Sequence, residues 1–394
     1  MTQRVENIDE ELLGGLAAQL RSGHLVSFPT ETVYGLGADA ANVQAVSRIF
    51  EVKGRPAQDP LIVHGPSIRK LVNWVSDEAT GWQRDVFEVL GRVFWPGPLT
   101  LVLPAQQKLI VPAVTANTGW VGLRCPAHPL AIRFLERCAC PVAAPSANLF
   151  GHVSPTTAQH VWDDFPAVDN LWILDGGRCG FGIESTVARV NEDKTIDILR
   201  RGGIAREQLA QSLVDAGLLP SKVAEQAVRI VERYFSHDTS KSVPVMQAPG
   251  QLLVHYAPRL PTQMVGFDLG KDPASDVIGA EISAEQLKHT IVIDFAGHLN
   301  SICDHVAHYR DLSANGNVTE AVHGLFDCLR WAEALVEGDS CQWRLWIFNP
   351  RSMNSFSGDE IYLALQDRIT RAASGKIGEL SFKPDSGRVF FLAR

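Results

Sequence analysis

The sequence predicts an α/β (α+β) protein with two domains. Helical and strand-like patterns alternate from Ile8 to about Ala216, the periodicity fails between about Tyr234 and Pro261, and strand patterns return after Pro261. The 394 residues, 45% of them apolar and 20% charged, have an ordinary globular composition. Because a typical domain has about 150 residues, the length agrees with more than one domain. This composition excludes a largely disordered or collagen-like protein.

The first domain opens with a helix and a strand. Its first helix places Leu12, Leu13, Leu16 and Leu20 on one face, and Gly23 supplies the left-handed residue that ends it. Asn42 is predicted to cap a second helix, which Gly54 ends. The predicted strands are 24–28, 61–64, 99–103, 121–124, 142–144, 171–174, 186–190 and 196–199, and further helices are predicted at 129–137 and 206–215. These elements form one sizeable sheet with flanking helices.

A linker and a smaller domain follow. Residues 234–261 are rich in Ser, Pro, Gly and Lys, which is typical of a linker. Within it, 251–258 also carries apolar residues, His255 and Tyr256, which a simple tether does not need, so we expect this segment to dock. Strands at 264–267, 291–294, 344–348 and 389–392 and helices at 319–337 and 359–373 predict a parallel α/β domain. The predicted boundaries are therefore 1–233, 234–261 and 262–394.

The charge and the cysteines restrict the function classes. There are 36 Lys and Arg against 44 Asp and Glu, a net charge of -8, which disfavours nonspecific attraction to nucleic acid or an anionic bilayer. The seven cysteines form no CxxC pair, so we interpret them as reduced thiols and predict no metal site. Acids stand where a signal peptide has basic residues, and no apolar run reaches about 18 residues. We therefore expect a cytoplasmic protein.

Residues 29–37 form the first candidate cluster, directly after a predicted strand. Gly35 to Ala40 fits the dinucleotide pattern G-x-G-x-x-A, which would support a nicotinamide-dependent oxidoreductase. However, six residues separate Phe28 from Gly35, where a tight strand-to-helix turn is required. The alternative interpretation is that these glycines belong to an irregular loop.

The other clusters combine cations, hydroxyl groups and glycines near strand ends. Lys53 and Arg55 could interact with a helix dipole or form a clamp for phosphate and carboxylate groups. At 145–148 and Ser154, small polar side chains could cap a helix or bind a ligand. The glycine-rich loop 175–187 could be a surface loop or an anion-binding nest. Arg124 and the turn at 200–203 add further cations.

The sequence contains no P-loop, no G-x-S-x-G elbow and no H-E-x-x-H pair. The remaining set of residues is suited to binding and positioning phosphate and carboxylate groups rather than to covalent attack by a protein nucleophile. Because Arg55 stands in a loop, we expect it to contribute little to the core.

Taken in order, the motifs PTETVYGLG, KGRP, PLIVH, WPGPLT, VGLRCP, APSAN, SPT and ESTV resemble the YrdC-like threonylcarbamoyl-adenylate synthases. The motif HYAP and a second α/β domain are similar to the longer, two-domain members. The resemblance implies a YrdC-like twisted open sheet, a linker that folds over the active site, and a smaller Rossmann-like domain. It also implies a nucleotidyltransferase that uses L-threonine, bicarbonate or CO2, and ATP with Mg²⁺. The products would be threonylcarbamoyl-AMP, for the threonylcarbamoyladenosine modification of tRNA, and pyrophosphate.

The resemblance also implies a role for individual residues. Threonine would be held by Thr32, His64, Arg124, Ala144 through its backbone, and Ser185. ATP would be held by Lys53, Arg55, Asp59, Ser146, Asn148, Ser154, Arg200, His255 and Tyr256. Lys53 and Arg55 would lie near the phosphates and act in catalysis, and Arg124 would face the carboxylate of threonine. A separate tRNA transferase would receive the product, and no strong direct binding to nucleic acid or to a membrane is expected.

Four positions, in three parts of the sequence, depart from the family pattern. Asp59 replaces an asparagine, so either magnesium bridges its carboxylate or its side chain points elsewhere, and Trp120 replaces a small hydroxyl residue. Leu252 and Val254 replace a lysine and an arginine. An alternative function is an RNA-binding module in which the cations form a groove, although the net negative charge argues against it.

Overall fold

The computed structural model describes residues 1–231, 246, 255–267, 279–336, 342–352, 359–383 and 386–393. It divides into two compact units. Unit 1 comprises Met1–Phe150 and Ser154–Leu252, and unit 2 comprises Gly151–Val153 and Leu253–Arg394. Of the predicted linker, only 246 and 255–261 are described, so Leu252 and Val254 lie outside the described residues. The boundaries at 233 and 262 stay predictions.

Unit 1 is built on one large mixed sheet. Its strands are β1 (Gln3–Val5), β2 (Leu25–Phe28), β3 (Gly35–Asp39), β4 (Ile62–His64), β5 (Leu99–Pro104), β6 (Trp120–Arg124), β7 (Val142–Ala143), β8 (Leu171–Leu174), β9 (Thr186–Val190), β10 (Ile196–Arg200) and β11 (Val228–Ile230). Across the sheet they follow the order β1-β8-β2-β3-β7-β4-β6-β5-β9-β10-β11. The strands that we predict from the sequence are all present, with ends that differ by a residue or two.

The helices of unit 1 are α1 (Glu10–Arg21), α2 (Val43–Lys53), α3 (Ile68–Leu71), α4 (Gly81–Phe94), α5 (Pro129–Cys138), α6 (Ala158–Asp164), α7 (Arg206–Asp215) and α8 (Ser221–Ala227), with short 3-10 helices at Val72–Trp74 and Pro112–Thr115. The predicted ends of α2 are confirmed. The Asn42 side chain accepts a hydrogen bond from the Ala45 amide, and Gly54 ends the helix in the left-handed conformation at φ 64°. Lys53 is therefore the last residue of the helix, and Arg55 follows directly after the Gly54 cap.

The segment from Gly35 to Asp39 is a strand and not a dinucleotide turn. β3 pairs antiparallel with β2, with Phe28 opposite Gly35. β2 is therefore followed by another strand and not by the helix that a dinucleotide-binding turn requires. Gly37 is needed for packing, because a Cβ there would lie 2.9 Å from both the Phe28 ring and the Val26 carbonyl oxygen. The hypothesis of a nicotinamide-dependent oxidoreductase depends on this dinucleotide pattern, so the structure does not support it.

The strands at the middle of the sheet have two different faces. Leu99, Leu101 and Leu103 of β5 belong to the main core, whereas Val102 packs with Val187, Leu199 and Trp120 in a small separate cluster. Because side chains alternate along a strand, Thr100 shares the second face with Val102. The guanidinium of Arg189 lies 4.0 Å from the centre of the Trp120 ring, so a cation covers this aromatic residue.

Unit 2 is a smaller α/β unit. Its strands are β12 (Thr262–Phe267), β13 (Ala280–Glu281), β14 (Thr290–Asp294), β15 (His308–Asp311), β16 (Arg344–Phe348), β17 (Ile377–Lys383) and β18 (Arg388–Ala393). Its helices are α9 (Ala284–Leu287), α10 (Val318–Ala334) and α11 (Glu360–Ala372), with 3-10 helices at Asn300–His305 and Pro350–Ser352. The strand order is β13-β18-β17-β12-β16-β14-β15. The five strands from β17 to β15 in this order pair in parallel, as the sequence predicts. The strand predicted at 389–392 lies in β18, which differs from the prediction because it pairs antiparallel with β17.

Among the described residues, no helix combines the length and the apolar character that a membrane span requires.

Candidate active site

Two of the residues predicted to bind threonine are neighbours on adjacent strands. β4 and β6 pair in parallel, with His64 directly opposite Arg124. Residues that face each other across a parallel pair point to the same side of the sheet. The strand register therefore brings this histidine and this arginine together.

Arg124 is held by the loop between β2 and β3. Its Nη2 donates hydrogen bonds to Glu31 Oε1 at 2.7 Å and to Thr32 Oγ1 at 2.8 Å. The Thr30 and Thr32 hydroxyl oxygens lie 2.8 Å apart, which fixes the loop. The Nε of Arg124 is buried and has no hydrogen-bond partner among the described residues. A buried donor without a partner is costly, so this group is suited to a ligand such as a carboxylate.

His64 is a neutral residue in this site. Its Nδ1 lies 3.2 Å from the Ile62 carbonyl oxygen, and its ring packs edge-on against Phe28 with centroids 5.9 Å apart. Burial, followed by repulsion from the Arg124 guanidinium, lowers the pKa of His64 to about 3. The imidazole therefore carries no charge near neutral pH and cannot compete with Arg124 for an anion.

Ser185 belongs to a second buried cluster, with Thr100 and Arg200. The hydroxyl oxygens of Ser185 and Thr100 lie 2.8 Å apart. Arg200 donates from Nη2 to the Ser185 hydroxyl and from Nε to the Ser185 carbonyl, each at 3.1 Å. Gly202 makes this contact possible, because a Cβ there would lie 2.3 Å from the Thr186 nitrogen and 2.4 Å from the Ser185 carbonyl carbon.

Lys53 connects the end of α2 to the segment after β7. Its Nζ donates to the Ser146 carbonyl oxygen at 2.6 Å and to the Asn148 carbonyl oxygen, so both predicted residues contact it through their backbones. Burial, followed by repulsion from Arg55, holds the pKa of Lys53 well below its usual value. A polyphosphate nearby would offset both effects and favour the charged ammonium.

Arg55 and Asp59 form a buried ion pair. Arg55 Nη2 lies 2.8 Å from Asp59 Oδ1, and the two side chains are only 3% and 0% exposed. Arg55 also donates to the carbonyl oxygens of Asp59 and Pro60. The expectation that Arg55 contributes little to the core is therefore wrong. The Asp59 side chain faces Arg55, and both alternatives for its role stay predictions.

The cations Lys53 and Arg55 and the cation Arg200 all act on the carboxylate of Asp59. Burial raises the pKa of Asp59, while the charges of Arg55, Lys53 and Arg200 act to lower it. Arg200 in turn contacts Ser185. Asp59 thus connects the predicted phosphate residues to the Ser185 cluster.

Ser154 and Ala144 complete the predicted residues of unit 1. The Ser154 hydroxyl donates to Glu184 Oε1 at 2.6 Å, and both residues are buried. The Ala144 amide donates to the Ile62 carbonyl, so a backbone contact to a ligand would use the carbonyl oxygen of Ala144. Asn148 donates from its side chain to the Leu149 carbonyl oxygen.

His255 and Tyr256 lie in unit 2. Both are buried, and the Tyr256 ring packs against Phe326 with centroids 5.3 Å apart. The guanidinium carbons of Arg368 and Arg371 lie 5.5 and 5.9 Å from the centre of that ring. The nucleotide contact of His255 and Tyr256 stays a prediction.

The glycine-rich loop at 175–183 packs on the β2–β3 loop. The Tyr34 hydroxyl donates to the Gly177 carbonyl oxygen at 2.7 Å, and the Phe181 amide donates to the Glu31 carbonyl oxygen at 2.7 Å. The amides of Gly176 and Cys179 are also bonded within the protein. These bonds leave the nest interpretation without support at the three amides concerned.

Sequence reasoning missed Glu31, Thr100 and Glu184. Glu31 lies within the PTETVYG motif, directly before Thr32, and its contact with Arg124 joins positions 93 residues apart. Thr100 could have been found, since it alternates with the leucines of a predicted strand. A separate cleft of about 290 Å³, lined by residues 105–119, contains none of the predicted site residues.

Comparisons with known proteins find family models that match both parts of the chain. Residues 18–202 match the family model Sua5_yciO_yrdC, described as "Telomere recombination". Residues 204–374 match the model Sua5_C, described as "Threonylcarbamoyl-AMP synthase, C-terminal domain". These two models follow one another along the chain and leave only its ends unmatched.

Relatives named threonylcarbamoyl-AMP synthase include the following two. The protein of Bacillus subtilis is 42% identical over 245 residues, which is 62% of this chain and 64% of that protein. The protein of Pyrococcus abyssi is 41% identical over 256 residues, which is 64% of this chain and 67% of that protein. The chain thus spans about two thirds of the length of these relatives by sequence.

A solved structure extends the likeness to nearly the whole chain. The crystal structure of P. abyssi Sua5 complexed with L-threonine matches with a TM-score of 0.73 and 31% identity, covering 96% of this chain and 99% of that chain. The fold class that the sequence predicts is confirmed.

Proposed function

Because the chain belongs to the Sua5/YciO/YrdC family, we propose that it is an L-threonylcarbamoyladenylate synthase, a nucleotidyltransferase. L-threonine, bicarbonate and ATP give threonylcarbamoyl-AMP, pyrophosphate and water. The observation that carries this proposal is the buried Arg124, whose unpartnered Nε lies beside hydroxyl groups and an acid, in the same unit as the Lys53–Arg55 cluster. That set is suited to an amino acid and a polyphosphate.

In the proposed reaction the substrate supplies the nucleophile. The amino group of threonine reacts with bicarbonate to give a carbamate and water. A carbamate oxygen then forms a bond to the α-phosphorus of ATP, and the bond from that phosphorus to the bridging oxygen breaks, so that pyrophosphate leaves with the electron pair. The protein has to hold the reactants in line and balance their charge.

Each cluster has a part in this scheme. Arg124 binds the carboxylate of threonine through Nε, and Ser185 and Thr32 supply hydroxyl groups. Lys53 and Arg55 lie against the phosphates, and Arg200, which contacts Ser185, adds a third positive charge to the site. One described residue of the predicted linker contacts this region. Met246 is buried and donates its amide to the carbonyl oxygen of Gln58, within the Arg55–Asp59 loop, which supports a linker that helps to exclude water.

Magnesium enters this scheme with the nucleotide. The described part of the chain contains no group of three or more His, Cys, Asp or Glu side chains that could hold a metal ion. The Asp59 carboxylate is already paired with Arg55. Mg²⁺ is commonly held by substrate phosphates with few protein ligands, so the phosphate oxygens of ATP would bind it here and neutralise their charge.

The remaining proposals concern the cellular context. The described cysteines are free thiols, which agrees with a reducing compartment such as the cytoplasm. The product would be handed to a separate transferase that modifies tRNA.

We predict that pyrophosphate release from ATP requires L-threonine and bicarbonate together. Arg124→Ala should lower kcat/KM for threonine by about a hundredfold, because a buried charged hydrogen bond contributes roughly 1.5–3 kcal/mol. Arg92→Ala removes an exposed arginine of α4 and should retain wild-type turnover as the matched control. A coupled pyrophosphate assay measures both. Release that proceeds equally without threonine would contradict the proposal.

A further inference from the structure

Glu31, the acid that pairs with Arg124, can accept further hydrogen bonds from a ligand. Glu31 Oε1 accepts from Arg124 Nη2 at 2.7 Å, and Oε2 accepts from the Ala127 amide at 2.9 Å. An ionised carboxylate has about four acceptor positions, so these two bonds do not saturate it. The Glu31 side chain is 17% exposed, whereas that of Arg124 is 5% exposed. A small ligand can therefore reach the carboxylate.

We infer that Glu31 binds the α-ammonium group of the amino-acid substrate. The inference rests on the proposed function and adds to it a residue that selects for a free amino group. An α-amino acid carries a carboxylate and an ammonium group separated by one carbon. Glu31 and Arg124 present the opposite charges 2.7 Å apart, and the unpartnered Nε of Arg124 offers the carboxylate a place that Glu31 does not occupy.

The surroundings hold Glu31 in position before the ligand arrives. Its carbonyl oxygen accepts from the Phe181 amide at 2.7 Å, and the Thr30 hydroxyl accepts from the amides of Thr32 and Val33, each at 3.1 Å. A preorganised site loses less conformational entropy on binding. The neighbouring His64 ring is neutral near pH 7, because burial and Arg124 lower its pKa, so it does not repel an ammonium group.

The other acids near the site are less available. Asp59 is fully buried and paired with Arg55, and Glu184 is buried and accepts from the Ser154 hydroxyl. Among these three carboxylates, Glu31 alone contacts the arginine that faces the substrate carboxylate. Glu31 is therefore the acid placed to bind the ammonium group of the amino acid whose carboxylate faces Arg124.

Isothermal titration calorimetry on the full chain tests this inference without catalysis. The ligands are L-threonine, N-acetyl-L-threonine, which lacks the ammonium group, and L-threoninol, which lacks the carboxylate. Wild-type protein should bind L-threonine at least about tenfold more tightly than N-acetyl-L-threonine. Glu31→Gln should weaken both L-threonine and L-threoninol by about tenfold and leave a nonhydrolysable ATP analogue within twofold. Glu136→Gln, an exposed position on α5, is the matched control.

The outcomes separate the possible roles of Glu31. If Glu31 only positioned Arg124, Glu31→Gln would leave L-threoninol binding unchanged, and the inference would be overturned. Unchanged L-threonine binding by this variant would overturn it as well. Should the variant fail to fold, the wild-type protein still tests the inference. Equal affinities for L-threonine and N-acetyl-L-threonine would overturn it. Wild-type protein that binds no L-threonine would overturn the proposed function itself.

Discussion

Arg55→Ala should abolish synthesis and also lower the free energy of unfolding by about 3–5 kcal/mol. The reason for the second effect is Asp59, which is fully buried and lies 2.8 Å from the guanidinium. Removing the arginine leaves that carboxylate without its nearest counter-charge in a place where burial already raises its pKa. Urea denaturation at constant pH measures the change.

A double-mutant cycle separates the ion pair from the other contacts of Arg55. Asp59→Asn should also lower stability, because it leaves the buried Arg55 guanidinium without its counter-charge. In the double variant Arg55→Ala/Asp59→Asn, part of the lost stability should return, because no uncompensated charge remains. Costs that simply add would show that the pair is not coupled. The double variant should still be inactive, since the clamp residue is absent.

Gly202→Ala should disrupt the Ser185 cluster. The added Cβ would lie 2.3 Å from the Thr186 nitrogen and 2.5 Å from the Glu184 carbonyl oxygen, so the backbone has to move. Overpacking of this kind costs about 1–3 kcal/mol or more. The movement separates Arg200 from Ser185, and we expect a large increase in the KM for threonine together with a lower melting temperature.

Gly180→Ala is the matched control for this prediction. Gly180 lies in the neighbouring glycine-rich loop, and a Cβ there would meet nothing within 4 Å. This variant should keep both the wild-type melting temperature and the wild-type KM. If Gly202→Ala behaved like Gly180→Ala in a thermal shift and a steady-state assay, the close packing at Gly202 would not matter for the site.

The sequence was sufficient to predict most regular elements of unit 1. Local signals determine these, as at α2, where the Asn42 cap and Gly54 carry the prediction. β3 was not predicted, because the glycines of Gly35 to Asp39 fit a loop pattern, and the strand depends on pairing with β2 and β7. Long-range pairing of that kind leaves little trace in a local pattern.

The site was predictable as a set of residues but not as a set of contacts. Composition and position identified Arg55, Arg124 and Arg200 as candidate cations. Their partners Asp59, Glu31 and Ser185 depend on folding. A loop turn joins Asp59 to Arg55, the β2–β3 loop brings Glu31 to Arg124, and the antiparallel pairing of β9 and β10 brings Ser185 to Arg200. For this reason the structural role of Arg55 and the contact between Glu31 and Arg124 became visible only in three dimensions.

The central claim is that threonine and ATP bind together against the sheet of unit 1. A crystal structure of the full chain with L-threonine and a nonhydrolysable ATP analogue tests it most directly. We predict the threonine carboxylate within hydrogen-bond distance of Arg124 Nε and the triphosphate against Lys53 and Arg55. Density for either ligand on another surface, with these three side chains unengaged, would contradict the claim.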